Sequence, residues 1–342
     1  MTKLEAGSIV GTSEVAAVRE FEQNYPNSPI SVQFFDDGWE PVRTKQVYQE
    51  IQKKNIDFLV TSHTSTCAVE IAPLINQDQR LTIITGATTS FLSDKDDYIL
   101  RIIPDLRIEQ TTLARKVANR ISKNILILRD LANSGYTIPA QEAFISQLIT
   151  IHPTITIHRY DINTNNLTIS ELAKLFKSTN PELLYLLIGG YRNNAGNIAQ
   201  LFYLYHSTTP ILFTPWMNSK ELVNNAGPAI RNGILPSLFP SRHVSPPVDA
   251  YMTAVETRFG FSPTIISLKV YQALEVLHQA FLHKNRSPES VKHWILSQKI
   301  IQTSLGSLVF TAFGDLEHPA DSNSDIQPYY FIEDMTGEFS IR

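Results

Sequence analysis

Short apolar runs rich in leucine and β-branched residues recur along the chain, separated by stretches whose apolar positions return every three or four residues. Residues 81–84 (LTII) predict a strand buried on both faces, 183–188 (LLYLLI) another buried strand, and 56–60 (IDFLV) and 125–128 (ILIL) two further strands. Residues 30–35 (ISVQFF) alternate like a strand with one wet face, and 98–103 (YILRII) forms another short run closed by Pro104. Between these lie helical stripes: Val15, Val18 and Phe21 in 8–23, then 42–53, 68–76, 106–121, 136–148 and 195–205. Weaker runs at 155–160 and 211–213 complete a strand–helix alternation through both halves, which predicts two doubly wound sheets.

Past residue 233 the rhythm changes. Val248, Tyr251, Val255 and Phe259 form one stripe, and Val270, Leu274, Leu277 and Phe281 a second of equal spacing. Ser287-Pro288 reads as an N-cap followed by proline at the first helical position. Thr168-Ile169-Ser170-Glu171 has the spacing of a capping box, and Asp105 is placed to cap the helix after it. Short strands at 307–311 and 328–332 are expected around an acidic loop.

Length changes this picture by doubling it: 342 residues exceed the usual size of one hydrophobic core, so two lobes are expected. A net charge of −4 offers no basic face to neutralise phosphates, so nucleic acid is not an expected partner. No apolar run approaches the ~20 residues of a membrane span. Cys67 is the sole cysteine, which excludes an internal disulfide and a thiolate metal site. The first residues, MTKLE, lack the cationic start and apolar core of an export signal.

Enzyme signatures are absent: there is no GxGxxG, P-loop, GxSxG or HExxH. Asp36-Asp37 and Asp96-Asp97 are adjacent, so their side chains diverge, and both read as solvated turns or caps. His278 and His283 are spaced poorly for a shared metal, and the nine histidines are otherwise scattered. No cofactor is expected. The predicted strand ends, by contrast, collect small polar and aromatic residues: Thr64-Ser65-Thr66, Ala87-Thr88-Thr89, Tyr136, Gly190-Tyr191 and Pro215-Trp216. Hydroxyls and free backbone N–H groups suit a carboxylate, and aromatic rings suit an apolar body. Each residue also has an ordinary structural reading, Ser65 as a helix N-cap, Tyr191 and Trp216 as core. Their shared position at strand ends favours a ligand-binding cleft.

The stretch TSTCAVEIAPLINQDQRLTIITGATTSFLSDKDDYILRIIPD resembles the type I periplasmic binding proteins, in particular the branched-chain amino-acid-binding branch, where a strand-end serine, an "api" helix and an "s-p-a-a-t" loop precede "dyxfR". LRDLANSGY (128–136), LIGGY (187–191), FTPWMNSKEL (213–222) and the closing LGSLVFTAFGD (305–315) are similar to further family motifs in the same order. The helix pair in 250–273 also matches. The resemblance covers nearly all of the chain after Asp36.

What it implies is a periplasmic binding protein type I fold: two doubly wound, Rossmann-like lobes joined by a three-crossing hinge. Residues 1–102 plus 240–316 would form lobe one, and 103–239 plus 317–342 lobe two. Position by position, Ser65, Ala87, Thr88 and Thr89 resemble the carboxylate and ammonium anchors of lobe one. Tyr136 and Tyr191 resemble the lobe-two residues that close over the ligand. Trp216 stands where amino-acid binders place an acid, with Asp97 and Glu221 farther along their segments; an unpaired buried ammonium is costly, so a carboxylate, amide or aromatic ligand is expected as readily as an amino acid. The implied function is non-catalytic capture of a small molecule, as the substrate-binding component of an ABC-type importer or as the sensory domain of a receptor, partnered by a permease or a signalling protein outside the cytoplasm. An α/β enzyme would need a nucleophile–base pair that the strand ends do not offer. The family's first strand has no counterpart before residue 8, so the sequence is expected to begin downstream of the true domain start, the missing export segment sharing that explanation.

Overall fold

The computed structural model describes Met1 and residues 8–164, 166–190, 194–317 and 329–333. The chain divides into two compact units, Met1–Asp105 with Pro246–Pro328 and Leu106–Ser245 with Tyr329–Arg342, so it passes between them three times.

The first unit opens with α1 (Ile9–Asn24) and α2 (Pro41–Gln52), followed by β1 (Phe58–Thr61), α3 (Ser65–Gln77), β2 (Leu81–Ile84) and β3 (Ile99–Arg101). The three strands form a parallel sheet in the order β1-β2-β3, with Thr61 opposite Ile84 and Ile84 opposite Arg101. Every residue of β2 is buried, as an apolar run covered by helices on both faces must be.

The second unit is an almost continuous α/β alternation. It runs α4 (Leu106–Ala118), β4 (Asn124–Asp130), α5 (Ser134–Ile151), β5 (Thr156–Ile162), α6 (Ile169–Ser178), β6 (Leu184–Leu187), α7 (Asn194–Tyr205), β7 (Ile211–Leu212), α8 (Lys220–Ala226) and β8 (Gly233–Ser237). The return to the first unit supplies α9 (Pro246–Phe259), α10 (Ile265–Leu282), α11 (Pro288–Ser297) and the hairpin β9 (Ile301–Thr303) with β10 (Gly306–Leu308). A last strand, β11 (Tyr330–Glu333), lies antiparallel on β8 and edges a six-stranded sheet of order β11-β8-β7-β6-β4-β5. The doubly wound α/β class expected from the alternation is the class found.

The core of the first unit joins both of its chain segments. Leu81, Ile83, Leu100 and Ile102 pack with Ala273, Val276 and Leu277 of α10, Val291 and Ile295 of α11, and Ile301 and Leu308 of the hairpin.

Three local expectations change. Residues 30–35 keep their alternation, with Ser31 and Gln33 exposed and Val32 and Phe34 half-buried, yet they join no strand among the described residues. A strand needs a ladder partner, and among the described residues none pairs with this segment. Thr168 precedes α6 without a side-chain cap; its backbone carbonyl alone accepts from Glu171 and Leu172. Asp37, expected in a solvated turn, is wholly buried. The capping box that does form is at Ser287, whose side chain accepts from Ser290 N–H while the Ser290 hydroxyl accepts from Ser287 N–H.

Candidate functional site

In the first unit the parallel register puts the carboxyl ends of β1, β2 and β3 on one edge, so the loops that follow must share it. Thr64 caps α3, its hydroxyl accepting from Cys67 N–H, which leaves Ser65 as the first helical residue rather than the cap. Ser65 is buried beside the free N–H groups of that first turn. The loop after β2 comes against this one. Thr85 donates N–H (2.8 Å) and hydroxyl (3.1 Å) to the Thr61 carbonyl. A side chain at Gly86 would meet the Ser62 carbonyl at 2.3 Å, so only glycine allows the approach.

Ala87, Thr88 and Thr89 continue this loop, all buried. Thr89 accepts from Phe91 N–H and starts a short 3-10 turn over Ser90–Leu92. Thr88 differs: its hydroxyl is buried and has no hydrogen-bond partner. A buried unpaired hydroxyl is destabilising on its own and becomes useful when something brings it a partner.

Two groups that sequence reasoning passed over hold these loops. Arg101, 1% exposed at the end of β3, donates from Nη1 to the Thr89 carbonyl at 2.8 Å and from Nε and Nη2 to Asp315 at 2.8 and 2.6 Å. Its Nη2 also reaches Ser93, whose hydroxyl hydrogen-bonds Asp105. The signal was a lone cation inside an apolar run. Asp37 is the other. Its Oδ2 lies 2.9 Å from His63 Nδ1 and accepts from the Thr44 hydroxyl at 3.0 Å. Burial opposes ionisation of Asp37, but the hydrogen bond and charge of His63 outweigh it and hold the carboxyl below its usual range. His63 is thereby fixed in the loop whose backbone Gly86 abuts.

In the second unit the equivalent edge follows β4, β6 and β7. Asp130 ends β4 and accepts from Ala132 N–H, Thr164 N–H and the Thr164 hydroxyl, tying two loops together. Asn133 donates to the Gly189 carbonyl at 2.9 Å, while its own Oδ1 is buried without a partner. Thr214 donates to the Ile188 carbonyl at 2.6 Å. A side chain at Gly189 would strike Tyr136 Cδ1 at 2.7 Å and Asn133 Nδ2 at 2.8 Å.

Tyr136 is brought edge-on to Trp216, ring centroids 6.4 Å apart at 90°. Its hydroxyl is committed inward. It donates to Glu109, which also accepts from Tyr329 at 3.0 Å and Gln110 at 2.6 Å. Burial, with the Glu109 carboxylate beside it, raises the Tyr136 phenol well above its ordinary pKa. The Tyr136 hydroxyl is thereby engaged within the second unit, while its ring faces Trp216. Trp216 is 5% exposed in a short turn over Pro215–Met217. Glu221, in the first turn of α8 after that turn, has a buried Oε2 without a partner. Tyr191 lies outside the described residues. Thus Ser65, Ala87, Thr88 and Thr89 gather on one unit's edge, and Tyr136 and Trp216 on the other's.

Among the described residues no helix is long and apolar enough to cross a membrane. Two α/β units, each with polar loops at the carboxyl ends of its parallel strands, define a class of bilobal ligand binders. The family model described as periplasmic binding protein matches residues 7–320, and the chain belongs to that family. Its fold is shared by the leucine-binding protein LivK of Thermotoga maritima (TM-score 0.79, 16% identity, covering 91% of this chain and 89% of that one). It is also shared by the branched-chain amino acid transporter substrate-binding protein LivJ of Streptococcus pneumoniae in complex with isoleucine (TM-score 0.78, 16% identity, 92% of both chains). An ABC-transporter solute-binding protein of Rhodopseudomonas palustris in complex with 3,4-dihydroxybenzoic acid aligns at TM-score 0.77 and 17% identity, over 90% of this chain and 86% of that one. No curated protein matches the chain.

Proposed function

We propose that the protein captures a small carboxylate-bearing molecule (an amino acid, an aromatic or aliphatic carboxylate, or a related amide) and closes its two units on it by hinge motion, as the substrate-binding component of an ABC-type importer acting outside the cytoplasm. The observation that carries this reading is the Thr88 hydroxyl, buried and unpartnered in a loop packed against the start of α3. Hydroxyls and first-turn N–H groups are donors that suit an anion. On the second unit, the Tyr136–Trp216 pair offers apolar area for the body of such a ligand. Membership of a family of solute binders supports a role without catalysis.

The ligand class rests on Glu221. If its unpartnered oxygen serves an ammonium, amino acids bind; if it does not, Trp216 selects an aromatic acid. A thermal-shift and calorimetric panel of isoleucine, 3,4-dihydroxybenzoate, short amides and sugars tests the reading. Stabilisation of about 2.7 kcal/mol is expected when a true ligand stands at a hundredfold its Kd. Silence across the carboxylates, with a cooperatively folded protein, overturns it.

A further inference from the structure

The six-stranded sheet of the second unit ends in two strands of different character. β11 edges one side with four residues, and Glu333 there is paired with Lys116 and Arg120. β5 edges the other with seven, matched residue for residue to β4 from Thr156 to Ile162 without a bulge. Thr156 and residues 158–161 are exposed, so both faces of this strand meet solvent. Among the described residues β5 pairs with β4 alone. A long edge without proline, lysine or bulge is open to pairing with another chain.

The direction of its backbone groups is fixed. Thr156 N–H donates to the Lys123 carbonyl at 2.8 Å, so residues 156, 158, 160 and 162 turn their backbone groups to β4. Ile157, Arg159 and Asp161 turn theirs outward. Asp161 accepts from Nε and Nη2 of Arg129 at 2.8 and 2.7 Å and stays exposed. Arg159, on the same face, forms no ion pair among the described residues.

Register then selects the partner. In an antiparallel pair, outward-turned residues must stand opposite one another to exchange hydrogen bonds. Consider two copies of β5 about a two-fold axis. Centred on Arg159 or Asp161, the pairing sets like charges directly opposite, which is destabilising. Centred on Ile157 or His158, it leaves Asp161 facing no opposite charge. Centred on Tyr160, it sets Arg159 of each copy against Asp161 of the other. The two tyrosines then meet across the axis in the closer, non-hydrogen-bonded position.

We propose that the exposed edge of β5 binds the same edge of a second copy of this chain, antiparallel and centred on Tyr160, so that two second-unit sheets become one continuous sheet. The charges make this edge complementary to itself. A carboxylate held by Arg129 keeps lone pairs for a second guanidinium, so Arg129, Asp161 and the second copy's arginine form a run across the seam. The tyrosine pair adds aromatic contact on the opposite face.

Sedimentation velocity of the full chain across the micromolar range should show a reversible dimer. Arg159→Asp sets two carboxylates opposite one another at two places and should weaken it by at least about tenfold. Its thermal midpoint, read where the parent is monomeric, should match the parent's. Arg159→Pro removes an outward N–H, spares the ladder to β4 and should abolish the dimer. Oxidation locates the axis. Tyr160→Cys brings two Cα atoms to about 4.5 Å, within disulfide reach, and should give a covalent dimer. His158→Cys, on the same face, lies about 14 Å from its counterpart and should not. A monomer at every concentration overturns the proposal. So does a dimer that Arg159→Asp leaves intact, or equal cross-linking by the two cysteine variants.

Discussion

Arg101 and Asp315 stand 214 positions apart in the chain and 2.6 Å apart in space, and the same guanidinium holds the Thr89 carbonyl. The closing loop of the first unit is thereby locked to the end of β3 and to the candidate anchor loop. Gly314 makes the lock possible. Its φ of 83° is in the left-handed region, its carbonyl accepts from Arg101 N–H at 2.9 Å, and an added Cβ would lie 2.3 Å from Leu100.

Removing one member of a buried pair leaves the other uncompensated, so Arg101→Met should destabilise the protein by about 3–5 kcal/mol. Paired with Asp315→Leu, much of that loss should return. Urea unfolding of the two single variants and the double variant measures it. Additive losses in the double variant would show that the two residues act separately.

Thr88→Val exchanges an unpartnered buried hydroxyl for a methyl of similar size. The free protein should be as stable as before or slightly more so. Affinity for the carboxylate identified by the panel should fall by about 1–3 kcal/mol, because the ligand then faces no donor. Calorimetry on the two proteins reads the affinity directly. Undiminished binding would remove Thr88 from the site.

Glu221→Gln separates the ligand classes. Binding of isoleucine should weaken by about tenfold or more, since a buried ammonium loses its charged partner, whereas binding of 3,4-dihydroxybenzoate should be unaffected. Equal effects on both would assign Glu221 a structural role.

Lys269 is buried in α10, its ammonium donating to Gln272 at 3.0 Å, and burial pushes its pKa down to about 7. The unfolded chain holds this proton up to about pH 10.4. Between those values the unfolded state binds more protons, so the stability of the folded protein rises with pH there. Below pH 7 the cost of burying the cation is fully present. Lys269→Met should therefore be more stable than the parent by a few kcal/mol, at about 1.4 kcal/mol per pKa unit, with the gap closing toward pH 10. Thermal midpoints of both proteins across that range decide it, and a pH-independent gap contradicts the assignment.

The strands read most clearly from sequence were those buried on both faces, because β2 and β6 have no exposed position and no charge to interrupt the run. The same local logic placed the polar loops at their ends. It failed where a residue's fate depends on partners far away in the chain. Asp37 looks like a turn acid until His63, 26 positions on, comes to it. Arg101 interrupts an apolar strand for a reason visible only once Asp315 has returned. Residues 30–35 alternate as a strand should, but alternation specifies a face and says nothing of whether a neighbour will pair. The Tyr136 hydroxyl, a natural candidate for a ligand, is engaged by Glu109 from α4, a helix that no motif links to it.

The division of the first unit between two chain segments has a consequence for biosynthesis. Leu81, Ile83 and Leu100 emerge from the ribosome long before α10 and α11, against which they pack. All of Leu106–Ser245 is made in between, on the order of ten seconds of elongation. Meanwhile the second unit, lacking only its edge strand β11, can collapse on its own contiguous core. The nascent protein thus matures from the middle outward, and the apolar face of its earliest strands stays uncovered until α10 and α11 have been made.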